Sequence, residues 1–505
     1  MSWISRLLAR LALIGALTVV VGWPALATVL EAIRAVANRA NAQPGTGTVL
    51  DVAGSADLLR ETGGLSRPVR LALETIGLVL TTEAIALPLG ILVAFLLFRT
   101  DVRGRGMLLG FMAVAAFVPL PLHATAWLGA FGNAGRAQAI GVRPILVGRF
   151  GAAVVHALAA LPWVVLIVGV GLAAVEPELE ESALLDAPPW RVLIRVTLRR
   201  AIGAIAAAAL AVAVLTAGDM TVTDLLQVRT YAEEAYLQFT LGRGPGEAAF
   251  VTLPPLLLLG ILILIVGQGL SRVDPARLVS TFARSRIWSL RRWRVCGGVL
   301  LIALVGNLTV LPLYTLIWRA GRVGGRASDG RPPTWSLSGL WGTLQYAATE
   351  IREPLQASLF LTAIAATLAT TLACALAWAA RRSGAWHSLA FITLALTLAT
   401  PGPVAGMALV LAYRDFPSIY DSPTLIVLAE TLRSMPYALL LLWPFLRSFP
   451  QDYLDAAALD GYGPWRQMFR VVLPLSRRAL MAAWAIAFAI GLSELPATNL
   501  VTPPG

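Results

Sequence analysis

Lysine is absent from this chain, and cysteine, histidine and acidic residues are scarce. The 505 residues include two cysteines, three histidines and 28 acidic residues, and all 40 basic residues are arginines. A phosphate-binding loop of the GxxxxGK[ST] type needs its lysine, so the chain has no such nucleotide site. Two cysteines and three scattered histidines also exclude a disulfide framework and a Cys/His metal site. We therefore expect no catalytic residues and no metal ligands in this chain.

Apolar residues dominate the sequence instead. They make up 57% of it and charged residues 13%, whereas soluble proteins are about 25% charged. Apolar runs of about 20 residues, long enough to cross a bilayer, recur from end to end. The sequence predicts an all-α polytopic membrane protein with spans near 11–30, 70–98, 106–131, 150–175, 201–217, 248–270, 296–318, 357–380, 388–413, 423–446 and 479–492.

The arginines are concentrated in alternate loops, as the positive-inside rule requires. They therefore orient the helices and do not indicate a nucleic-acid partner. Arg6 and Arg10 precede an apolar run as in a signal peptide, but 11–30 has spanning length, so we expect this helix to be retained. With the N-terminus in the cytoplasm, the inner loops hold most of the short-loop arginines: Arg99, Arg103, Arg105, Arg191, Arg195, Arg199, Arg200, Arg381, Arg382, Arg466, Arg470, Arg477 and Arg478.

The chain also repeats itself. LDAPPWRVLIRVTL at 185–198 matches LDGYGPWRQMFRVVL at 459–473 once one residue is skipped, and Trp190 then pairs with Trp465 at a separation of 275. The same offset pairs Asp219 with Glu494, and PLPL at 119–122 resembles PGPV at 401–404. We expect two tandem homologous halves, 1–285 and 286–505, with six helices in a complete half. The second half ends where the first continues, so we expect it to lack its last helix.

A charged segment, 451–478, separates the last two apolar spans. Its seven charges would cost roughly 20 kcal/mol at the bilayer centre, so it must lie outside the membrane on the arginine-rich side. Locally it predicts two short helices. Asp452 is suited to cap the first, and Gly461 to form the left-handed turn that ends it.

This segment resembles the EAA motif (EAA-x3-G-x9-I-x-L-P) of permease subunits of ABC importers with the type I fold. The matching residues of loop 448–478 are Asp455, Ala456, Ala457, Gly461, Val471, Leu473 and Pro474, with Arg466 and Arg470 on one face of the intervening turn. A degenerate copy lies at 176–200. It keeps Glu181 and Ala183, has Ala187 for the glycine, and is one residue shorter.

The resemblance implies a permease whose EAA loops dock on separate cytosolic ATP-binding subunits, expected as a homodimer. These would bind ATP and Mg, while the chain itself would bind no cofactor. It also implies a substrate-binding protein outside a bacterial inner membrane. The fused layout resembles ferric-iron permeases, which makes ferric iron the expected substrate. Thiamine permeases share that layout, so thiamine or another small solute is an alternative.

Other classes remain open at this point. A secondary transporter also fits a parallel duplication, but it needs no ATPase-docking loop, and a membrane-embedded enzyme lacks a catalytic constellation. Ionisable residues inside or beside the spans are candidates for the transport pathway, because buried charge in a membrane is costly. Glu430 and Arg433 are three residues apart and could instead pair with each other. The candidate pathway residues are Glu83, Asp219, Glu430, Arg433 and Glu494.

Overall fold

The computed structural model describes residues 3–41, 67–133, 141, 143–240, 287–324, 334–381 and 383–502, and seven residues between 257 and 265. Over these residues the regular secondary structure is helical apart from one hairpin of two-residue strands, β1 (Arg322–Val323) and β2 (Thr334–Trp335), and one isolated bridge between Thr100 and Trp288. The sixth predicted span, 248–270, lies mostly outside the described residues.

The helices up to residue 240 include one π-helical turn in the first span and one near residue 195. In chain order they are α1 (Trp3–Leu17), α2 (Trp23–Asn41), α3 (Arg67–Arg99), α4 (Arg105–Ala116), α5 (Leu120–Phe131), α6 (Gly148–Ala173), α7 (Pro177–Asp186), α8 (Pro189–Val192), α9 (Leu198–Arg200), α10 (Ile202–Ala217), α11 (Thr221–Leu225) and α12 (Tyr231–Thr240).

The later helices follow a similar order. They are α13 (Arg294–Ala320), α14 (Leu337–Thr349), α15 (Arg352–Ala380), α16 (Gly384–Ala399), α17 (Gly402–Tyr413), α18 (Pro417–Tyr420), α19 (Thr424–Arg447), α20 (Gln451–Leu459), α21 (Pro464–Gln467), α22 (Leu473–Leu475), α23 (Arg477–Leu492) and α24 (Pro496–Val501).

Six of the described helical segments are long and apolar enough to cross a membrane, and the number rises to ten if each of four bent helix pairs is one span. The all-α polytopic architecture predicted from the sequence is confirmed. Ten of the eleven predicted spans coincide with these segments, and the eleventh is the one at 248–270.

Two predicted spans, 106–131 and 388–413, are not continuous helices. Helices α4 and α5 meet at an angle of 103°, and α16 and α17 meet at 109°. The physical reason is proline. Pro119 and Pro401 have no N–H for the preceding turn and force the residue before them out of the helical region.

The described residues divide into two compact units. The first unit comprises Met1–Val79, Ala217–Ile265 and Ala365–Gly505. In it α19 packs against α23, and α17 packs against α2, α12 and α24. Gly402 and Gly406 permit the close approach of α24, because a Cβ at Gly406 would lie 2.9 Å from the Ala497 carbonyl oxygen.

The first span is tied to α17 by hydrogen bonds within the first unit. The Trp23 indole donates to the carbonyl of Ala412 at 2.8 Å, and the Tyr413 hydroxyl donates to the carbonyl of Val19 at 2.7 Å. The acceptor at Val19 lies in the π-helical turn Thr18–Gly22, where the regular hydrogen bonds of an α-helix between residues four apart are interrupted. The turn thus presents a carbonyl to a partner distant in sequence.

The second unit comprises Leu80–Thr216 and Val266–Ile364. Its helix α13 packs against α4 and α5, and α6 packs against the same two helices. Within each unit the order is the same: a broken helix pair, a long helix, a charged loop with a π-helical turn, and an apolar helix. This order follows the sequence repeat. The boundary between residues 285 and 286 stays a prediction.

Candidate functional site

Helix α20 carries the first part of the EAA-like motif on the surface of the first unit. Asp455 and Ala456 are exposed, whereas Leu454 and Ala457 are buried at 3% and 6% exposure. The buried pair holds the helix against its own unit, so the acidic and small residues on the other side face outwards. Its last residue, Leu459, is 90% exposed.

The end of α20 is fixed by a Schellman motif. Gly461 has φ +79°, its N–H donates to the carbonyl of Ala458 at 3.0 Å, and the N–H of Tyr462 donates to that of Ala457 at 2.9 Å. The predicted left-handed glycine is confirmed. The predicted cap at Asp452 is wrong, because α20 begins at Gln451 after Pro450 and Asp452 lies in the first turn. There its negative charge still interacts favourably with the helix dipole.

Hydrogen bonds from outside the helix hold α20 in place. The Arg381 guanidinium, just after α15, donates to the Phe449 carbonyl at 2.7 Å and to Gln451 at 3.2 Å. The Gln467 amide donates to the carbonyls of Leu454 at 3.3 Å and Tyr462 at 3.0 Å. Both ends of the short helix are therefore anchored to other elements of the same unit.

A π-helical turn, Met468–Val472, joins this loop to α23 through a bend of 75°. Arg466 and Arg470 are exposed, and Val472 is fully buried. Leu473 and Pro474 lie in α22, directly before the bend. The second unit has the matching π-helical turn at Leu193–Thr197, followed by a bend of 64° into α10.

Helix α7 is the corresponding element of the second unit. Glu181 is exposed and Ala183 half-buried, as Asp455 and Ala457 would predict. Its end differs, because Ala187 has an extended backbone (φ −142°, ψ 148°) that needs no glycine. The terminal leucine is kept, since Leu185 is 87% exposed. The degenerate copy therefore forms an exposed helix like α20, with a different stop.

A buried ion pair replaces an apolar contact in α7. Glu180, at the position of Leu454 in the repeat, is fully buried and pairs with Arg99 at the end of α3. Its other carboxylate oxygen accepts from the Thr197 hydroxyl at 2.5 Å, and Arg99 also donates to the Leu172 carbonyl at 2.8 Å. Arg99 was expected in an inner loop; it ends α3, and its side chain is completely buried. The network fastens α7 to α3, α6 and the π-helical turn.

Two of the candidate pathway residues meet in the first unit. Arg433 of α19 forms an ion pair with Glu494 at 3.0 Å and donates to the Thr400 carbonyl at 2.5 Å. The side chains are 17% and 7% exposed. Arg433 therefore pairs across helices and joins α19 to the break between α16 and α17.

Glu494 and Asp219 have a common local role. Glu494 accepts from the N–H of Ala497 at 3.1 Å, and Asp219 accepts from the N–H groups of Thr221 and Val222 at 3.0 and 2.9 Å. Each carboxylate thus caps the short helix that follows an apolar helix. The repeated acid has a structural explanation, and a part in transport stays a prediction.

The other two candidate pathway residues lie on the long helices α19 and α3. Glu430 is buried on α19 at 5% exposure, and Glu83 is half-buried on α3. Among the described residues, no group of three His, Cys, Asp or Glu side chains is arranged to hold a metal ion.

The sequence did not predict the buried ion pair of Arg99 with Glu180 or the exposure of Leu185 and Leu459. The aligned repeat contained one signal for Glu180, because this glutamate stands where the other copy has the apolar Leu454. The two leucines were visible as an identity in the repeat, but only the structure reveals that both are exposed.

Residues 342–505 match the family described as "Binding-protein-dependent transport system inner membrane component". The fold class predicted from the sequence, the transmembrane fold of type I ABC importers, is supported by this match and by the helical architecture.

Three curated relatives are permeases of uptake systems. The diacetylchitobiose uptake system permease protein NgcG of Streptomyces coelicolor is 35% identical over 21% of this chain and 34% of its own length. The maltose/maltodextrin permease protein MalF of Escherichia coli is 25% identical over 29% and 32%, and the trehalose permease protein SugA of Mycobacterium tuberculosis is 36% identical over 17% and 28%. The matches thus span about a third of these relatives. No solved structure matches the chain.

Proposed function

We propose that this chain is the transmembrane permease subunit of a binding-protein-dependent ABC importer. It forms a solute pathway and couples it to separate ATP-binding subunits on the cytoplasmic side. The observation that carries the proposal is α20, an exposed helix with acidic and small outward residues, a Schellman stop at Gly461 and an exposed terminal leucine. A secondary transporter has no need for such a helix.

The partner is proposed to be a pair of identical ATP-binding subunits. The outward faces of α7 and α20 have matching chemistry, although their sequences diverge. Each places one exposed leucine at its end and has three exposed acidic residues at equivalent positions: Glu178, Glu181 and Asp186 in α7, and Asp452 and Asp455 in α20 with Asp460 directly after it. One type of groove, apolar at its floor and basic at its rim, fits both helices.

The substrate is proposed at the level of a small solute delivered by a binding protein. Ferric iron was the expectation from the fused layout, and the relatives found do not support it, since their names refer to chitobiose, maltose and trehalose uptake. A di- or oligosaccharide is therefore the first candidate to test. Uptake of labelled trehalose, maltose and diacetylchitobiose, compared with ferric iron and thiamine, distinguishes the candidates.

Replacing Gly461 by valine tests the coupling helix. A β-branched residue at φ +79° costs at least about 1–2 kcal/mol locally and should distort the end of α20. We expect the variant to insert and fold but to lose association with the ATP-binding subunit and most solute uptake. The measurement is co-purification in detergent, followed by uptake in proteoliposomes.

Ala187→Val is the matched control. Its backbone is extended, a conformation that valine adopts readily, so association should stay close to wild type. Normal coupling in Gly461→Val would refute the role of α20. Equal loss in both variants would show that the effect is not due to the left-handed turn.

Replacing the two exposed leucines tests whether α7 and α20 dock on identical ATP-binding subunits. Leu185→Ser and Leu459→Ser each remove one apolar knob, and we expect each to weaken ATPase association roughly tenfold, as the loss of a buried leucine contact implies. The double variant should abolish it. If one single variant alone had an effect, two identical docked subunits would be excluded.

A further inference from the structure

Helix α14 of the second unit contains no charged residue, and none of its residues is fully buried. Its thirteen residues read LSGLWGTLQYAAT. Leu337, Trp341 and Leu344 are 72%, 63% and 52% exposed. At helical spacing they fall on one face, together with Leu340 and Ala348. The side chains of Ser338, Gln345 and Thr349 fall on another face.

A third face holds α14 against the end of α13. The Thr343 hydroxyl donates to the carbonyl of Ala320 at 2.8 Å. Gly339 lies so close to the hairpin that a Cβ there would be 2.3 Å from a Val323 methyl. The helix is therefore fixed in rotation, with its apolar face turned away from the unit that holds it. Ser336 caps its first turn, accepting from the Gly339 N–H at 3.0 Å.

Aromatic residues mark the level of α14 along the membrane normal. Trp318, in the last turn of the candidate span Arg291–Ala320, stacks on Trp335 with ring centroids 6.3 Å apart. The span has 30 residues, or about 45 Å, so its end passes beyond the roughly 30 Å hydrocarbon core. Tryptophan and tyrosine collect at membrane interfaces. Trp341 and Tyr346 of α14 are two further exposed aromatic residues.

From this placement we infer that α14 is an interfacial helix whose apolar face is embedded in lipid at the boundary between headgroups and acyl chains. The bilayer is the occupant that the chemistry favours, because the face is apolar and uncharged and lies at the level of a tryptophan group. A docking face for a soluble protein has a polar and often charged rim, whereas the thirteen residues of α14 include no charged side chain. The inference does not depend on the proposed transport function.

The experiment compares nitroxide labels on two faces of α14 in phosphatidylcholine/phosphatidylglycerol nanodiscs. Cysteine is introduced by Leu344→Cys on the apolar face and by Gln345→Cys on the polar face, in a background with Cys296→Ala and Cys374→Ala. The label at 344 should relax strongly with oxygen and weakly with a water-soluble nickel chelate. The label at 345 should relax weakly with oxygen and strongly with the nickel chelate. The ratio of oxygen to nickel accessibility should differ at least severalfold between the two labels.

Two results would overturn the inference. High nickel accessibility at 344 would place the face in water, and shielding of that label from both reagents would mean that protein covers it. Leu337→Cys, about two turns away on the same face, provides a second measurement should Leu344→Cys not fold. It is expected to give the same lipid signature.

Discussion

Replacing Arg99 by methionine is expected to lower the free energy of unfolding by about 3–5 kcal/mol, because it leaves the carboxylate of Glu180 buried without its cation. Both side chains are fully buried, so water cannot compensate. Glu180→Leu alone should be similarly harmful, since it leaves the guanidinium of Arg99 uncompensated. The measurement is equilibrium unfolding in detergent, monitored by tryptophan fluorescence.

The double variant Arg99→Met/Glu180→Leu should recover most of that loss. Its leucine copies Leu454, the residue that the other unit buries at this position, and buried ion pairs are often replaceable by well-packed apolar residues. Arg200→Ala is the matched control within the same loop. Its pair with Glu176 is exposed at 52% and 36%, so its loss should cost no more than about 1 kcal/mol. Additive losses in the double variant would contradict the buried-pair explanation.

Arg433→Leu is expected to have the second large effect. It removes the cation beside Glu494, which is 7% exposed, and the donor to the Thr400 carbonyl at the helix break. We expect a loss of stability of about 3–5 kcal/mol and a weaker junction between α19 and the break that follows α16. Arg414→Leu is the control in the same unit, since Arg414 is 40% exposed in its pair with Glu31.

A second variant separates the structural role of this pair from a role in transport. Arg433→Leu/Glu494→Gln removes both charges and keeps an oxygen to accept from the Ala497 N–H. It should therefore be more stable than Arg433→Leu. If it folds normally and has lost uptake, the charges act in the pathway; normal uptake would leave them a structural role alone.

The spans and the short helices of the charged loop 451–478 were predictable because they depend on local sequence. A run of about 20 apolar residues, or a glycine suited to a left-handed turn, can be recognised without knowledge of distant residues. The helix breaks after Val118 and Thr400 could also have been predicted, since PLPL and PGPV place two prolines within four residues. Reading each pair as one continuous span gave too much weight to hydropathy.

The ion pairs could not be predicted, because they join residues far apart in the chain. Arg99 meets Glu180 across 81 residues, and Arg433 meets Glu494 across 61. Spacing on a single helix suggested Glu430 as the neighbour of Arg433, whereas packing of α19 against α23 brings Glu494 to it. Pairing of buried charge is a tertiary property, and a single sequence records only that the charges are there.

The bonds between the first span and α17 constrain how the protein is made. Trp23 is 389 residues ahead of its acceptor at Ala412. At roughly 5–20 residues per second, a ribosome needs about 20–80 seconds to supply that acceptor after Trp23 has been synthesised. During this interval the first helix has no α17 to pack on, and it must wait in the bilayer or be held by the insertion machinery. Completion of the first unit therefore depends on late steps of translation, and a ribosome stalled before α17 would leave a nascent helix without its partner.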